Sequence, residues 1–207
     1  MLIQEKHICL SCYYKLPRTK FKINTDNPTE KIFKGRIPIL GASSFLYFKQ
    51  KGLTQKLIHQ FKYRNNKEVG HYLGELFGKE IAENNPEYKP DIITSVPLHY
   101  RKQNLRGYNQ SEEISNKISE TLNIPVNNKL ITRKLFTDTQ THKKRYERWK
   151  NTGNIFEINT SDNLNGKHIA IVDDVITTGA TIESCAQILL NNFECKISFL
   201  SLCIATH

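Results

Sequence analysis

The 207-residue chain has no apolar run approaching the roughly 20 residues that a membrane-spanning helix needs. Its first residues, Met-Leu-Ile-Gln-Glu-Lys-His, lack the apolar core of a secretory signal peptide. Cysteines number five, an odd count that suits a reducing compartment better than a disulfide framework. No internal repeat or low-complexity segment is evident. We therefore expect a cytoplasmic protein with one good-sized domain and an appendage, whose 38% apolar content suffices for a core.

Acidic residues are the scarcer charge, and the bases are unevenly distributed. The formal net charge is +10. Residues 49–67 contain six bases and no acid, and residues 129–150 contain eight bases and two acids. This asymmetry fits a polyanionic partner, either nucleic acid or a phosphate-rich substrate. Ordinary charge for solubility explains it about as well.

Apolar patterning divides the chain near residue 40. Residues 1–40 have weak periodicity and several Pro and Gly breakers, which predicts a loop-rich appendage. Residues 41–207 alternate between strand and helix patterns, which predicts an α/β domain with a mainly parallel sheet. The expected strands are 42–48, 91–96, 124–126, 129–135, 155–158, 169–172 and 196–205, and the expected helices are 53–61, 69–81, 114–122 and 182–193. Ligands bind beyond the carboxyl ends of parallel strands, so the loops after 91–96 and 169–172 should face one pocket.

One segment indicates a phosphate-binding site. Ile-Ala-Ile-Val at 169–172 predicts a buried strand, and the acidic pair Asp173 and Asp174 follows it. The next loop contains Thr177, Thr178, Gly179, Ala180 and Thr181 and leads into a helix pattern. A glycine lets the backbone approach a phosphate closely, while N–H groups at a helix start and Thr hydroxyls can donate to it. The acids make sense there if the ligand is a sugar phosphate whose ribose hydroxyls they hold, directly or through a cation.

This run resembles the phosphoribosyl pyrophosphate (PRPP) signature of type I phosphoribosyltransferases over 13 consecutive positions. The resemblance implies that Asp173 and Asp174 are the catalytic acids, which contact the ribose hydroxyls of Mg²⁺-bound PRPP. It also implies that residues 177–181 wrap the 5′-phosphate. The alternative is a strand–turn–helix crossover whose acids merely face solvent.

The segment after strand 91–96 is basic. Arg101, Lys102 and Arg106 are candidates to bind pyrophosphate, because a multiply charged group needs several donors and guanidinium groups suit phosphate oxygens. A solvated basic loop is the alternative. His99 and His142 are candidates for a general base, and ordinary polar surface residues are the alternative.

A third segment, residues 139–151, combines bases with two aromatic residues. Tyr146 and Trp149 alternate with candidate nucleic-acid ligands, which are Lys143, Lys144, Arg145 and Arg148. Such a mixture suits stacking on a base with phosphate contacts alongside. Packing of Trp149 on the core is the alternative.

Together these segments resemble the ComF family, the competence-protein F and GntX-like group. The residues that carry the resemblance are Phe61 to Arg64, Val96 to His99, Arg106 to Gln110, Thr139 to Asn151, and the run from Asp173 to Thr181. The resemblance implies a type I phosphoribosyltransferase-like domain, often preceded by a small zinc module. Some members take part in uptake of single-stranded DNA during natural transformation, alongside the uptake machinery. Three functions therefore stay open: a ligand-binding protein in DNA uptake, an active transferase with an unidentified acceptor in nucleotide metabolism, and an inactive PRPP sensor.

Cys9 and Cys12 have the Cys-x-x-Cys spacing of half a tetrahedral zinc site. His7 is a candidate third ligand, and the other three cysteines fit core positions. ComF-like proteins usually carry another Cys-x-x-Cys pair. Two alternatives follow: a second pair upstream of Met1, or a degenerate module without metal.

Overall fold

A computed structural model of the chain describes residues 8–64, 66–133 and 155–205. Its central sheet has four strands in the order β1-β6-β5-β2, all parallel. These strands are β1 (Gly41–Phe48), β2 (Ile92–Ser95), β5 (His168–Ile176) and β6 (Lys196–Ala205). A separate antiparallel pair consists of β3 (Ile131–Arg133) and β4 (Phe156–Ile158). The predicted α/β fold with a mainly parallel sheet is confirmed.

Helices cover both faces of this sheet. They are α1 (Leu10–Tyr14), α2 (Pro28–Lys31), α3 (Leu53–Tyr63), α4 (Lys67–Asn84), α5 (Tyr100–Arg106), α6 (Gln110–Leu122) and α7 (Ala180–Asn192). One apolar cluster packs α3, α4 and α6 against one face through side chains such as Phe61, Phe77 and Ile114. The other packs α7 against the opposite face, with Phe33 and Phe199 among its members. Two-sided burial explains why β5 and β6 are nearly continuous apolar runs.

Three predicted elements differ from the structure. Residues 100–106 form helix α5 where a loop was expected; α5 buries no side chain, so its sequence has no apolar periodicity. The fifth strand extends through Ile176 and includes the acidic pair, instead of ending at residue 172. The strand expected at 124–126 is reduced to one isolated bridge between Val126 and Ile93.

The segment before β1 is hydrogen-bonded onto that strand. The Asn27 side chain caps α2 by accepting from the Thr29 and Glu30 amides at 2.8 and 3.2 Å. Its amide group donates to the Ala42 carbonyl at 2.7 Å, and Glu30 accepts from the Ala42 amide at 3.0 Å. The Thr29 hydroxyl donates to Ser44 at 2.9 Å. The domain boundary at residue 40 stays a prediction.

Candidate functional site

The acidic pair lies where β5 and α6 meet. Asp173 accepts a hydrogen bond from the Ser111 hydroxyl at 3.0 Å and another from the Asp174 amide at 2.8 Å. Ser111 is in the first turn of α6, which Asn109 caps by accepting from the Ser111 amide at 3.1 Å. The Asn109 amide group also donates to the Val96 carbonyl at 3.0 Å, just beyond β2. The segment that follows β2 and the acidic pair of β5 therefore meet at the carboxyl-terminal edge of the sheet.

The environment of Asp173 favours its protonated form. Burial raises the pKa of Asp173 to about 7, and the neighbouring charge of Asp174 adds to the rise. The Ser111 hydrogen bond and the Lys62 charge act in the opposite direction on this pKa. A carboxyl that titrates near neutrality can gain or lose its proton when a cation or a ribose arrives.

Ionisation of Asp173 is expected to make stability depend on pH between about 4 and 7, its unfolded and folded pKa values. Over that range the folded protein holds a proton that the unfolded chain has released, so stability falls as pH rises. Replacing Asp173 with Asn removes this effect. As pH rises from 5 to 8, we expect the free energy of unfolding of the variant to increase by about 1 kcal/mol or more relative to that of wild type.

Denaturant unfolding at several pH values measures this change. Asp26→Asn is the matched control, because a hydrogen bond from Lys34, together with the charge of Lys31, lowers the pKa of Asp26. Its effect should be constant from pH 5 to pH 8. Parallel stability curves for wild type and Asp173→Asn would contradict the expectation.

Asp174 forms an ion pair with Lys62 of α3, with 2.7 Å between the carboxylate oxygen and Nζ. Both side chains are mostly buried, with 14% and 18% of their surface exposed. Sequence reasoning noted the basic run 49–67 but assigned Lys62 no role in the site. Its spacing of four from the buried Ile58 was the available signal, because that places Lys62 beside the core-facing stripe of α3. The donor set of two carboxylates fits a hard cation such as Mg²⁺, which would compete with Lys62 for Asp174.

The predicted phosphate loop connects β5 to α7. Gly179 is the N-cap of α7 and adopts a left-handed conformation with φ of 75°. Phe33 packs against it so closely that a Cβ atom on residue 179 would lie 2.5 Å from the ring. The rest of the loop is exposed, namely Thr177, Thr178, Ala180 and Thr181. The loop hydroxyls and the start of α7 therefore face solvent, while Phe33 covers Gly179.

The predicted pyrophosphate ligands lie on α5, and they differ in how they are held. Arg106 donates to the Gln110 side chain at 2.8 Å and to the Tyr63 hydroxyl at 3.4 Å, and its guanidinium lies 5.2 Å from the Tyr63 ring centre. Its Nε is buried and has no hydrogen-bond partner among the described residues. Arg101 and Lys102 are exposed. Since Tyr63 follows Lys62 in α3, Arg106 and Asp174 contact consecutive residues of one helix.

The general-base candidate His99 is the N-cap of α5. Its Nδ1 accepts from the Arg101 amide at 3.2 Å. Loss of solvation, together with the positive charges of Arg133, Arg101 and Lys102, lowers the pKa of His99. A neutral imidazole is available there at neutral pH, and the role stays a prediction. His142 lies outside the described residues, as do Lys143, Lys144, Arg145 and Arg148.

Cys9 and Cys12 lie at the start of α1. A hydrogen bond with Cys9 raises the pKa of Cys12, and burial adds to the rise. Within residues 8–64, 66–133 and 155–205, no group of three or more His, Cys, Asp or Glu side chains is arranged to hold a metal. The described residues therefore supply two ligands toward a tetrahedral zinc site, and His7 lies outside them. Zinc binding stays a prediction.

The family profile of the phosphoribosyl transferase domain matches residues 96–207, which include β2's following loop, α5, the acidic pair and the phosphate loop. The chain belongs to this family. The phosphoribosyl transferase domain thus covers just over half of the sequence and contains the predicted ligand residues other than the zinc pair. The fold is similar to that of a purine phosphoribosyltransferase from Pyrococcus horikoshii. The alignment covers 64% of this chain and 74% of that protein, at 22% identity and a TM-score of 0.42.

Curated relatives confirm the resemblance to ComF proteins. The chain is 34% identical to DNA utilization protein YhgH of Escherichia coli over 150 residues, which are 71% of this chain and 65% of that protein. It is 33% identical to competence protein F of Haemophilus influenzae over 137 residues, 64% of this chain and 60% of that protein. The matches thus span less than two thirds of these relatives' lengths. In the part of the chain that the structure describes, none of the helices is long and apolar enough to cross a bilayer.

Proposed function

We propose that the protein binds PRPP, or a related ribose 5-phosphate ligand, together with Mg²⁺, and that this binding serves DNA uptake in the cytoplasm during natural transformation. One observation carries the ligand proposal: a carboxylate pair on β5 precedes an exposed hydroxyl-rich loop whose glycine begins helix α7. The names of the relatives motivate the role in DNA uptake.

The proposed roles follow the order of the ligand's groups. Asp173 and Asp174 hold the ribose hydroxyls, and residues 177–181 donate to the 5′-phosphate. Arg106, with Arg101 and Lys102 on the same helix, receives the pyrophosphate. Bound Mg²⁺ would supply charge neutralisation to the pyrophosphate oxygens. Lys62 neutralises Asp174 before the ligand arrives and is then released toward the incoming anion.

Isothermal titration tests the ligand. We expect saturable PRPP binding in the presence of Mg²⁺ and much weaker binding with EDTA. Ribose 5-phosphate should compete, because it shares the phosphate loop and the ribose contacts. Folded protein that shows no heat at millimolar PRPP with Mg²⁺ would overturn the proposal.

An active transferase is the second candidate, and a cavity favours it. A cavity of about 520 Å³ adjoins Thr177 and Thr178, with Tyr47, Ile32 and Ile204 among its lining residues. That volume accommodates a nitrogenous base. The test is release of pyrophosphate from PRPP when single purine and pyrimidine bases are added. Release no faster than in the absence of any base would leave binding as the supported function.

The DNA proposal rests on the exposed surface of α3 and of the residues that flank it. Lys51, Lys56 and Arg64 line one groove with Gln55, His59 and Gln60, and the neighbouring Tyr63 is 58% exposed. Basic side chains beside an exposed aromatic ring suit the binding of single-stranded nucleic acid, because the side chains can contact phosphates while the ring stacks on a nucleobase. This surface continues into the site through Lys62, so one helix would carry both functions.

Charge reversal on α3 should weaken DNA binding selectively. We expect Lys56→Glu with Arg64→Glu to reduce affinity for an oligothymidylate at least about tenfold and to lower the salt slope by about 1.4, or 0.7 per lost phosphate contact. PRPP affinity should be unchanged. The matched control is Lys89→Glu with Lys196→Glu, two exposed bases at the amino ends of the strands. Equal losses in the two double variants would show that net charge alone is responsible.

A further inference from the structure

Arg36 lies in the segment before β1, called the N-terminal segment below. It contacts both the phosphate loop and helix α7. Its Nη1 donates to the Thr178 carbonyl at 2.8 Å and to the Ile32 carbonyl at 2.9 Å. Its Nε donates to the Glu183 carboxylate at 3.3 Å, and its Nη2 forms an ion pair with the same group. Arg36 thus joins the loop, the first turn of α7 and its own segment through one planar guanidinium.

The segment that carries Arg36 is held in place independently of these contacts. Phe33 is fully buried, meets Phe199 of β6 with ring centres 4.6 Å apart, and covers Gly179. The Asn27 cap and the Glu30 carboxylate tie the start of the segment to β1. Arg36 therefore extends from a fixed backbone, so its contact with the loop costs side-chain rotamer freedom but no further backbone freedom.

The contact with Thr178 determines how the next peptide N–H points. A trans peptide places its C=O and N–H on opposite sides, and the described chain contains no cis peptide bond. Because Arg36 holds the Thr178 carbonyl, the Gly179 N–H is directed away from the guanidinium. Together with the N–H groups at the start of α7, it forms the donor set expected for a 5′-phosphate.

The contact with Glu183 removes an unfavourable charge. Glu183 is in the first turn of α7, where a carboxylate is stabilised by the helix dipole and competes with any phosphate for the same potential. A dianionic phosphate beside it would be repelled. The Arg36 ion pair neutralises this carboxylate and leaves the helix start free for the ligand.

We propose that Arg36 is a positioning residue of the phosphate site: it orients the Thr178–Gly179 peptide and neutralises Glu183 so that the loop accepts a 5′-phosphate. The inference rests on the proposed ribose 5-phosphate ligand. It makes the N-terminal segment part of the ligand site, although the phosphoribosyl transferase match begins only at residue 96.

Titration of ribose 5-phosphate into three variants tests the inference. Arg36→Gln should lower affinity about tenfold, because it loses a charge-assisted contact and exposes the ligand to Glu183. Glu183→Gln should bind at least as tightly as wild type. The double variant Arg36→Gln with Glu183→Gln should recover part of the loss. Lys34→Gln is the matched control: it removes a base from the same segment whose partner is Asp26, 3.2 Å away and not in the loop.

The outcomes separate the inference from the proposed function. Wild-type protein that binds neither ribose 5-phosphate nor PRPP refutes the proposed function itself. Wild-type binding with Arg36→Gln within twofold of it overturns the role of Arg36. A purely structural ion pair would make Arg36→Gln and Glu183→Gln lower the affinity for ribose 5-phosphate equally, and that result would also overturn the inference. Thermal unfolding of each variant verifies that the folded protein is being compared.

Discussion

Asparagine at both Asp173 and Asp174 is expected to reduce affinity for Mg²⁺-bound PRPP at least about 100-fold. Each carboxylate would otherwise accept charge-assisted hydrogen bonds from ribose hydroxyls or hold the cation, and a neutral amide does neither as well. Asp174 is mostly buried, with 14% of its side chain exposed, which strengthens its interactions. Asp173 contacts Ser111 and Asp174 contacts Lys62, so both acids are oriented before any ligand arrives.

Isothermal titration with PRPP and Mg²⁺ measures this loss, and circular dichroism verifies folding. Removing the Asp174 charge leaves Lys62 mostly buried without its ion-pair partner, so some stability is lost as well. The control replaces Asp91 and Asp162, two exposed acids outside the site, with asparagine. Affinity within threefold of wild type in the site variant would refute the assignment of ribose binding to this pair.

Alanine at Gly179 is expected to destabilise the protein by about 2–4 kcal/mol and to weaken ribose 5-phosphate binding at least about tenfold. Two effects add at this position. The φ of 75° disfavours any residue with a Cβ atom, and the added Cβ would meet the Phe33 ring at 2.5 and 2.7 Å. Phe33 is fully buried, so its ring cannot move without disturbing the core.

Gly166→Ala separates the two effects. Gly166 has a φ of 74°, nearly the same as Gly179, but a Cβ there would meet nothing within 4 Å. This variant should therefore lose only about 1 kcal/mol, the cost of the left-handed conformation. Chemical denaturation of both variants measures the difference. Equal destabilisation would show that the contact with Phe33 adds nothing.

The strand, loop and helix around the acidic pair were predictable because their signals are local, while phosphate binding by the loop stays a prediction. Apolar residues 169–172 predict the strand, and the adjacent acids with the Thr- and Gly-containing loop predict the ligand class. Helix α5 was not predictable in the same way. It buries no residue, and its ends depend on the His99 cap and the left-handed Gly107, which a periodicity search does not detect.

Contacts between distant segments were beyond reach for a different reason. Lys62 precedes Asp174 by more than a hundred residues, and Arg36 is similarly far from Thr178 and Glu183. Spacing places Lys62 beside the core-facing stripe of α3, but nothing local identifies Asp174 as its partner, and nothing local distinguishes Arg36 from the other bases of a chain with a net charge of +10. Their roles arise only when folding brings α3 and the N-terminal segment to the carboxyl end of β5 and the loop that follows it.

The sequence by itself determined the α/β class and the strand, loop and helix that surround the acidic pair. These depend on residue types and short spacings, which the chain carries in any conformation. The tertiary structure alone decided that Asp173 is buried enough to titrate near neutrality and that Lys62 neutralises Asp174. It likewise decided that Phe33 and Arg36 support the phosphate loop from the far end of the chain. Burial and long-range charge pairing depend on packing, and packing is a property of the folded chain as a whole.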